Sequence, residues 1–178
     1  MEIQKVKTLA KDKLEFVSSI ITNSNGNVLI LKRRKDLSLD PGKYDLCSGH
    51  MKNGEIPLQS MYRELKEELG INPEQVKRME LIGTIKTPHK KLINTVTHIY
   101  SVEIDIEKEK INEMVSNVSK PEIEQVTYLQ SIESLREMIA YTENFRTMLT
   151  DEVEDTLRKI EDKINKRKEE KEDLCEER

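Results

Sequence analysis

The segment PLQSMYRELKEEL, followed by Gly70, can order its residues in only one simple way, as a helix laid across another layer. Pro57 suits the first helical position, where its missing N–H would have no partner anyway. Gly70 supplies the left-handed stop. At about 100° per residue, Leu58, Met61, Leu65 and Leu69 fall on one stripe that faces a core. Glu64, Glu67 and Glu68 cluster on a neighbouring face. Burial of the stripe therefore holds the helix while three acids project sideways into a cleft. Like charges at this spacing repel by about 0.2–0.5 kcal/mol per pair, so the cluster calls for a counter-charge.

Around this helix the chain reads as short strands. EFVSSIITNSNGNVLILKRR is two strands about a turn at Asn25-Gly26, residues that tolerate positive φ. LDPGKYDLCSGH is a turn at Pro41-Gly42 and a short strand through Leu46. ELIGTIKT, NTVTHIYSVEI and EQVTYL are further strands, and SIESLREMIA is a second helix. Strands mixed with helices specify an α/β class. From Asp151 onward, 20 of the last 28 residues are charged, which marks a solvated segment. Within it Val153, Leu157, Ile160 and Ile164 form one narrow apolar stripe. That stripe suits a helix docked on its own domain or one that pairs in a homodimer. The composition divides the chain into a domain over residues 1–145 and a charged helix or tail over 146–178.

A formal net charge of −4 argues against a nucleic-acid partner. No run of 18 apolar residues suggests a membrane span, and MEIQKVKTLAKDKLEF lacks the apolar core of a secretory signal. Cys47 and Cys175 share no metal-ligand spacing. The expectation is a cytoplasmic protein with reduced thiols.

Hard divalent cations such as Mg²⁺ take oxygen ligands and keep waters and substrate phosphates in their shell. Glu64, Glu67 and Glu68 can chelate such ions, and Gly49, lacking a Cβ, lets its carbonyl approach one closely. Arg63 can engage a carboxylate bidentately, and Glu55, eight residues earlier, is its natural partner. That pair would pin the loop carrying Gly49 to the helix.

The stretch from Gly49 to Ile71 resembles the signature of the Nudix hydrolases, G-x5-E-x7-R-E-U-x-E-E-x-G-U with U aliphatic. Gly49, Glu55, Arg63, Glu64, Leu65, Glu67, Glu68, Gly70 and Ile71 match it without departure. The resemblance implies an α/β/α sandwich around a mixed sheet, extending from about Glu15 to Tyr141. It implies hydrolysis of a diphosphate linkage in a small molecule, with Mg²⁺ as cofactor and Mn²⁺ as a possible substitute. Glu64, Glu67 and Glu68 are then metal ligands, and Glu64 is also a candidate general base. Some family members take the base from a loop, and Glu122 and Glu124 in KPEIEQVTYL are the candidates here.

Substrate contacts are less sharply indicated. In LKRRK, strand alternation puts Lys32 and Arg34 on one face, Arg33 and Lys35 on the other. Arg33 and Arg34 are candidate phosphate contacts, and Tyr44 and Tyr100 are candidates for stacking a base. Without Trp, and with two Phe and five Tyr, the chain favours substrates held by phosphate or by non-aromatic groups. His89 belongs to a loop between strands, and His98 reads as a half-buried structural histidine.

LKRRKDLSLDPGKYDLCSGHMKNGE also resembles the matching stretch of isopentenyl-diphosphate isomerases. In that alignment Ser48 stands at the catalytic Cys position and Cys47 is one residue early, so its side chain points to the opposite face. His50 would be an additional metal ligand. Serine is a poor proton donor for isomerisation, and the hydrolase signature is whole, so hydrolysis is the expectation. A non-catalytic ligand sensor is the other alternative.

Overall fold

The computed structural model describes residues 14–38, 40–88, 94–141, 154–155, 157–162, 164–166 and 169. Its strands are β1 (Leu14–Thr22), β2 (Val28–Arg33), β3 (Tyr44–Asp45), β4 (Ser48–His50), β5 (Val76–Pro88), β6 (Asn94–Ile104) and β7 (Ile123–Leu129). The helices are α1 (Pro57–Leu69), α2 (Lys108–Ser116) and α3 (Ile132–Tyr141).

The strands form one seven-stranded mixed sheet. β1 lies at its centre and is parallel to β6 from Leu14↔Thr95 to Thr22↔Glu103. On its other edge β1 takes β4 at Phe16–Ser18 and β2 at Ile21–Thr22, both antiparallel. This tight β1–β2 connection needs Gly26 at φ 80, with the Asn23 side chain accepting the N–H groups of Asn25 and Asn27 at 3.0 Å. β2 in turn pairs with β7 across a register shift between Lys32 and Arg33. Lys32 faces Gln125 and Arg33 faces Ile123, so Glu124 is the extra residue of a bulge.

Alternation gives the sheet two buried faces. Val17, Ile21, Leu29, Leu31, Val102 and Ile104 pack under α1 and α2, against Met61, Leu65, Leu69, Ile111 and Val115. Ile20, Val28, Ile30, Ile85 and Ile99 pack on the opposite face against Ile132 and Leu135 of α3 and against Leu157 and Ile160. The charged C-terminal segment is helical at residues 157–162 and 164–166. Its Leu157 and Ile160 are fully buried in this second cluster. Arg136 of α3 ties the segment down, bonding Glu154 at 3.3 Å and Glu161 at 2.8 Å.

One local expectation is corrected, and one helix is added. Leu58 is 42% exposed, because the first turn of α1 overhangs the core. The buried residue of that turn is Ser60, whose hydroxyl donates to Glu55. Helix α2 is not evident in the sequence, since only Ile111 and Val115 carry its buried stripe. It is fixed by tertiary contact, including an Asn112 side chain that accepts the Val126 N–H at 2.8 Å.

Candidate active site

α1 ends in a left-handed Gly70 (φ 69) whose N–H caps Leu65 and Lys66. With Met61, Leu65 and Leu69 locked under the sheet, the next face of the helix is carried over β4. Arg63 is the hub there. It grips Glu55 bidentately, Nε to Oε1 at 2.7 Å and Nη2 to Oε2 at 2.9 Å. It also donates to Glu64 at 2.5 Å, to Glu67 at 2.9 Å and to the His50 carbonyl at 2.9 Å. One guanidinium thus fastens the loop after β4 to two of the clustered acids, and the expected Glu55–Arg63 pair is present. That pair, with the Ser60 hydroxyl and the Lys52 N–H, holds the Glu55 carboxyl well below the usual carboxylate range.

The three acids sit in different surroundings. Glu64 is buried, and burial raises its pKa although the hydrogen bond from Arg63 opposes this. Burial alone would raise Glu67 too, but hydrogen bonds from Lys52 (3.1 Å) and Arg63 bring it below normal. Glu68 is pushed up to about 8 by burial, despite contacts from the Cys47 thiol and the Ser48 N–H (3.2 Å). Cys47 is buried beneath it, and burial drives the thiol well up, which leaves it unreactive.

Gly49 lies directly under Glu64, and a Cβ at this position would run into the Glu64 carboxylate. Among the described residues no three acidic, histidine or cysteine side chains converge as a ligand cage, since Arg63 and Lys52 take up the carboxylates. The donor set nevertheless suits a hard divalent cation. It comprises three carboxylates over a glycine backbone, two of them with proton affinities raised by burial.

A cleft of about 400 Å³ opens over the acids, lined by Glu64, Glu67, Glu68, Ser119, Lys120 and Glu122. Of the two loop acids singled out in the sequence, Glu122 lines this cleft. Glu124 sits in the β2–β7 bulge and pairs with Lys32 at 3.7 Å. Arg33, on the α1 side of the sheet, reaches the cleft edge by bonding Glu122 at 3.2 Å, with Asp45 at 3.7 Å. Arg34 is turned to Asp36 in a bidentate pair at 2.9 and 2.7 Å. Tyr44 lies opposite Lys32, on the sheet face away from the acids. Tyr100 is buried in the core. His50 points to that far face too, edge-on to Phe16 with ring centroids 5.3 Å apart. Ser48 pairs with Ser18 and shares that face, whereas Cys47 touches Glu68. His98 lies half-buried between Thr84 and Glu15, at 3.3 Å from each; His89 lies outside the described residues.

Lys120 and Lys52 were not among the sequence candidates. Lys120 had a usable signal, since it stands two residues before Glu122 in the same loop. Lys52 had none beyond lying inside the signature's variable positions.

The NUDIX domain family profile matches residues 15–152. The chain belongs to the Nudix family. Among curated relatives, an RNA pyrophosphohydrolase of Psychromonas ingrahamii is 46% identical over 61 residues, 34% of this chain and 31% of that protein. An 8-oxo-dGTP diphosphatase of Escherichia coli is 35% identical over 68 residues, 38% of this chain and 52% of that protein. The alignments thus span about half or less of these relatives' own length. A solved MutT protein from Methanosarcina mazei superposes on this Nudix domain with TM-score 0.58 at 20% identity, covering 89% of this chain and 99% of that one. That likeness establishes the α/β sandwich. No described helix is long and apolar enough to cross a membrane.

Proposed function

We propose that this Nudix domain hydrolyses a diphosphate linkage in a small-molecule substrate, with Mg²⁺ as the working cation and Mn²⁺ as a substitute. The observation that carries the reading is the Arg63 hub. It holds Glu55, Glu64, Glu67 and the His50 carbonyl together above Gly49, beside a cleft wide enough for a diphosphate.

Glu64, Glu67, Glu68 and the Gly49 carbonyl are the groups that would hold the cation. When bound, it would polarise a water and neutralise phosphate charge. The chain's own residues supply the rest. Water oxygen forms a new bond to phosphorus as the bridging P–O bond breaks, giving two phosphate products, and the water gives up a proton. Of the four carboxylates that line the cleft, Glu64 on the helix and Glu122 on the loop are the two candidates to take that proton. Burial raises the proton affinity of Glu64, which favours it as a base. Lys120 is the cation in the cleft lining and meets the phosphate oxygens. Arg63 fixes the position of Glu64.

The decisive experiment is a panel of diphosphates incubated with Mg²⁺ or Mn²⁺, with products identified by mass. Release of a phosphate or a nucleoside monophosphate is the expected result. Binding without any product would identify a sensor instead. Rearrangement of isopentenyl diphosphate without phosphate release would identify an isomerase.

A further inference from the structure

A second cleft, about 610 Å³, lies between α1 and α2 and meets the acidic cleft at Glu67 and Ser119, which line both. A diphosphate lying over the acids carries at least one organic substituent, and that group must leave the scissile cleft. The α1–α2 cleft is the adjoining space.

Its chemistry narrows what fits. No aromatic ring lines it, so nothing there stacks a nucleobase or nicotinamide. Lys66 and Lys110 stand on opposite walls, with Asn72, Asn117 and Ser119 as hydrogen-bonding groups. Its two carboxylates are already engaged, Glu67 by Arg63 and Lys52, and Glu113 by Lys110 at 2.9 Å. The Lys66 side chain makes no ion pair among the described residues, and neither does Lys120 on the other side of the shared wall. The wall is therefore flanked by two cations whose charge is uncompensated among the described residues.

Resting on the diphosphate-hydrolase reading, we propose that the α1–α2 cleft is the subsite for the substrate's non-scissile group. That group is non-aromatic and bears at least one further phosphate, held by the uncompensated Lys66, with Lys110 on the opposite wall sharing its charge between that phosphate and Glu113. Lys120 meets the phosphate at the junction.

Two measurements test this. The first compares 5-phosphoribosyl 1-diphosphate with isopentenyl diphosphate, which has no further phosphate, in the wild type and in Lys66→Ala/Lys110→Ala. The double variant is expected to shift the ratio of the two KM values by about tenfold or more against the phosphoribosyl substrate, the effect of one lost charged contact. Lys66→Arg is expected to restore most of it. The second is a calorimetric titration with inositol hexakisphosphate in chelator-treated buffer. This probe is non-aromatic, has no diphosphate bond and does not depend on the metal. Its affinity is expected to fall about tenfold or more in the double variant and to stay unchanged in Lys77→Ala, whose lysine pairs with Asp105 elsewhere. An unchanged KM ratio overturns the subsite, as does hexakisphosphate binding indifferent to Lys66 and Lys110. If no diphosphate is cleaved at all, the hydrolase reading fails, while the titration still decides whether the cleft binds phosphate.

Discussion

Gly49 and Glu68 show how much of this site rests on single atoms. A methyl group at Gly49 would meet the Glu64 carboxylate. The carboxylate must then move or the β4 loop must lift off Arg63. Gly49→Ala is therefore expected to lower kcat by about a hundredfold, the usual cost of displacing a reacting group by an ångström. The melting temperature should change little, because Gly49 pairs in a sheet whose other strands are untouched. Near-normal turnover would show that Glu64 does not work from the position seen here. Glu68 makes a prediction in pH. Burial raises its folded pKa from an ordinary 4.5 to about 8. A raised folded pKa favours the protonated native form, so this contribution is complete below pH 4.5 and is lost as pH rises through 8. Metal-free protein should thus melt at progressively lower temperature across that window. A divalent cation competes with the same proton, so stabilisation by Mg²⁺ should grow with pH over the same range. Thermal melts with and without Mg²⁺ measure this, and Glu68→Gln should flatten the metal-free slope. An unaltered slope in that variant would place the titrating group elsewhere.

At the level of elements, the C-terminal segment divides into two parts with different consequences. Leu157 and Ile160 are buried against Ile30, Leu135 and Ile132. Each such side chain contributes about 1.5–3 kcal/mol, a large part of a domain's net stability of about 5–15 kcal/mol. Ending the chain after residue 153 should therefore unfold it or lower its denaturant midpoint sharply. Ending it after residue 166 removes a stretch of almost continuous charge and should leave both midpoint and turnover unchanged. Denaturant titrations of the two truncations distinguish the cases, and equal stability would dismiss the docked helix. The narrow apolar stripe was readable in the sequence, but whether it met its own sheet or a second copy was not, because both partners offer the same hydrophobic surface. Arg136, which bonds Glu154 and Glu161, belongs to another helix, and no local spacing announces it. The same reason hid α2, where two buried residues give too weak a period to read. α1 was readable because its period, its Pro and its Gly all agree, and Glu55 and Arg63 could be paired because their charges are opposite and Glu55 lies near the helix start, eight residues before Arg63. Glu122 and Glu124 could not be told apart. Which of them faces the cleft depends on a bulge against β2, made by residues about ninety positions away.

For the molecule as a whole, the two faces of the sheet divide stability from chemistry, and the charge distribution sets the terms of binding. α3 and the C-terminal helical residues cover one face with apolar contacts. The other face carries α1, and its cleft is lined by Glu64, Glu67, Glu68 and Glu122 against the single cation Lys120. The formal net charge is −4, so the field beyond the cleft gives an approaching anion no help. Arg63 and Lys52 are already spent on the carboxylates. A diphosphate is itself a multiple anion, and at such distances like charges in a partly buried cleft repel by several kcal/mol. A divalent cation reverses the local sign, because it adds two positive charges where the acids converge. Binding at the scissile cleft should therefore require the ion even before any bond is broken. In Lys66→Ala/Lys110→Ala, which removes phosphate binding in the adjoining α1–α2 cleft, titration of a non-hydrolysable methylene diphosphonate should show no saturation at millimolar concentration in chelator-treated buffer, and clear saturation once Mg²⁺ is added. Calcium, which also accepts oxygen ligands, should restore binding as well. Glu67→Gln should weaken the cation-dependent binding. Equal affinity with and without divalent ions would mean that the cleft binds its ligand by another route, and that its acids serve the fold rather than the substrate.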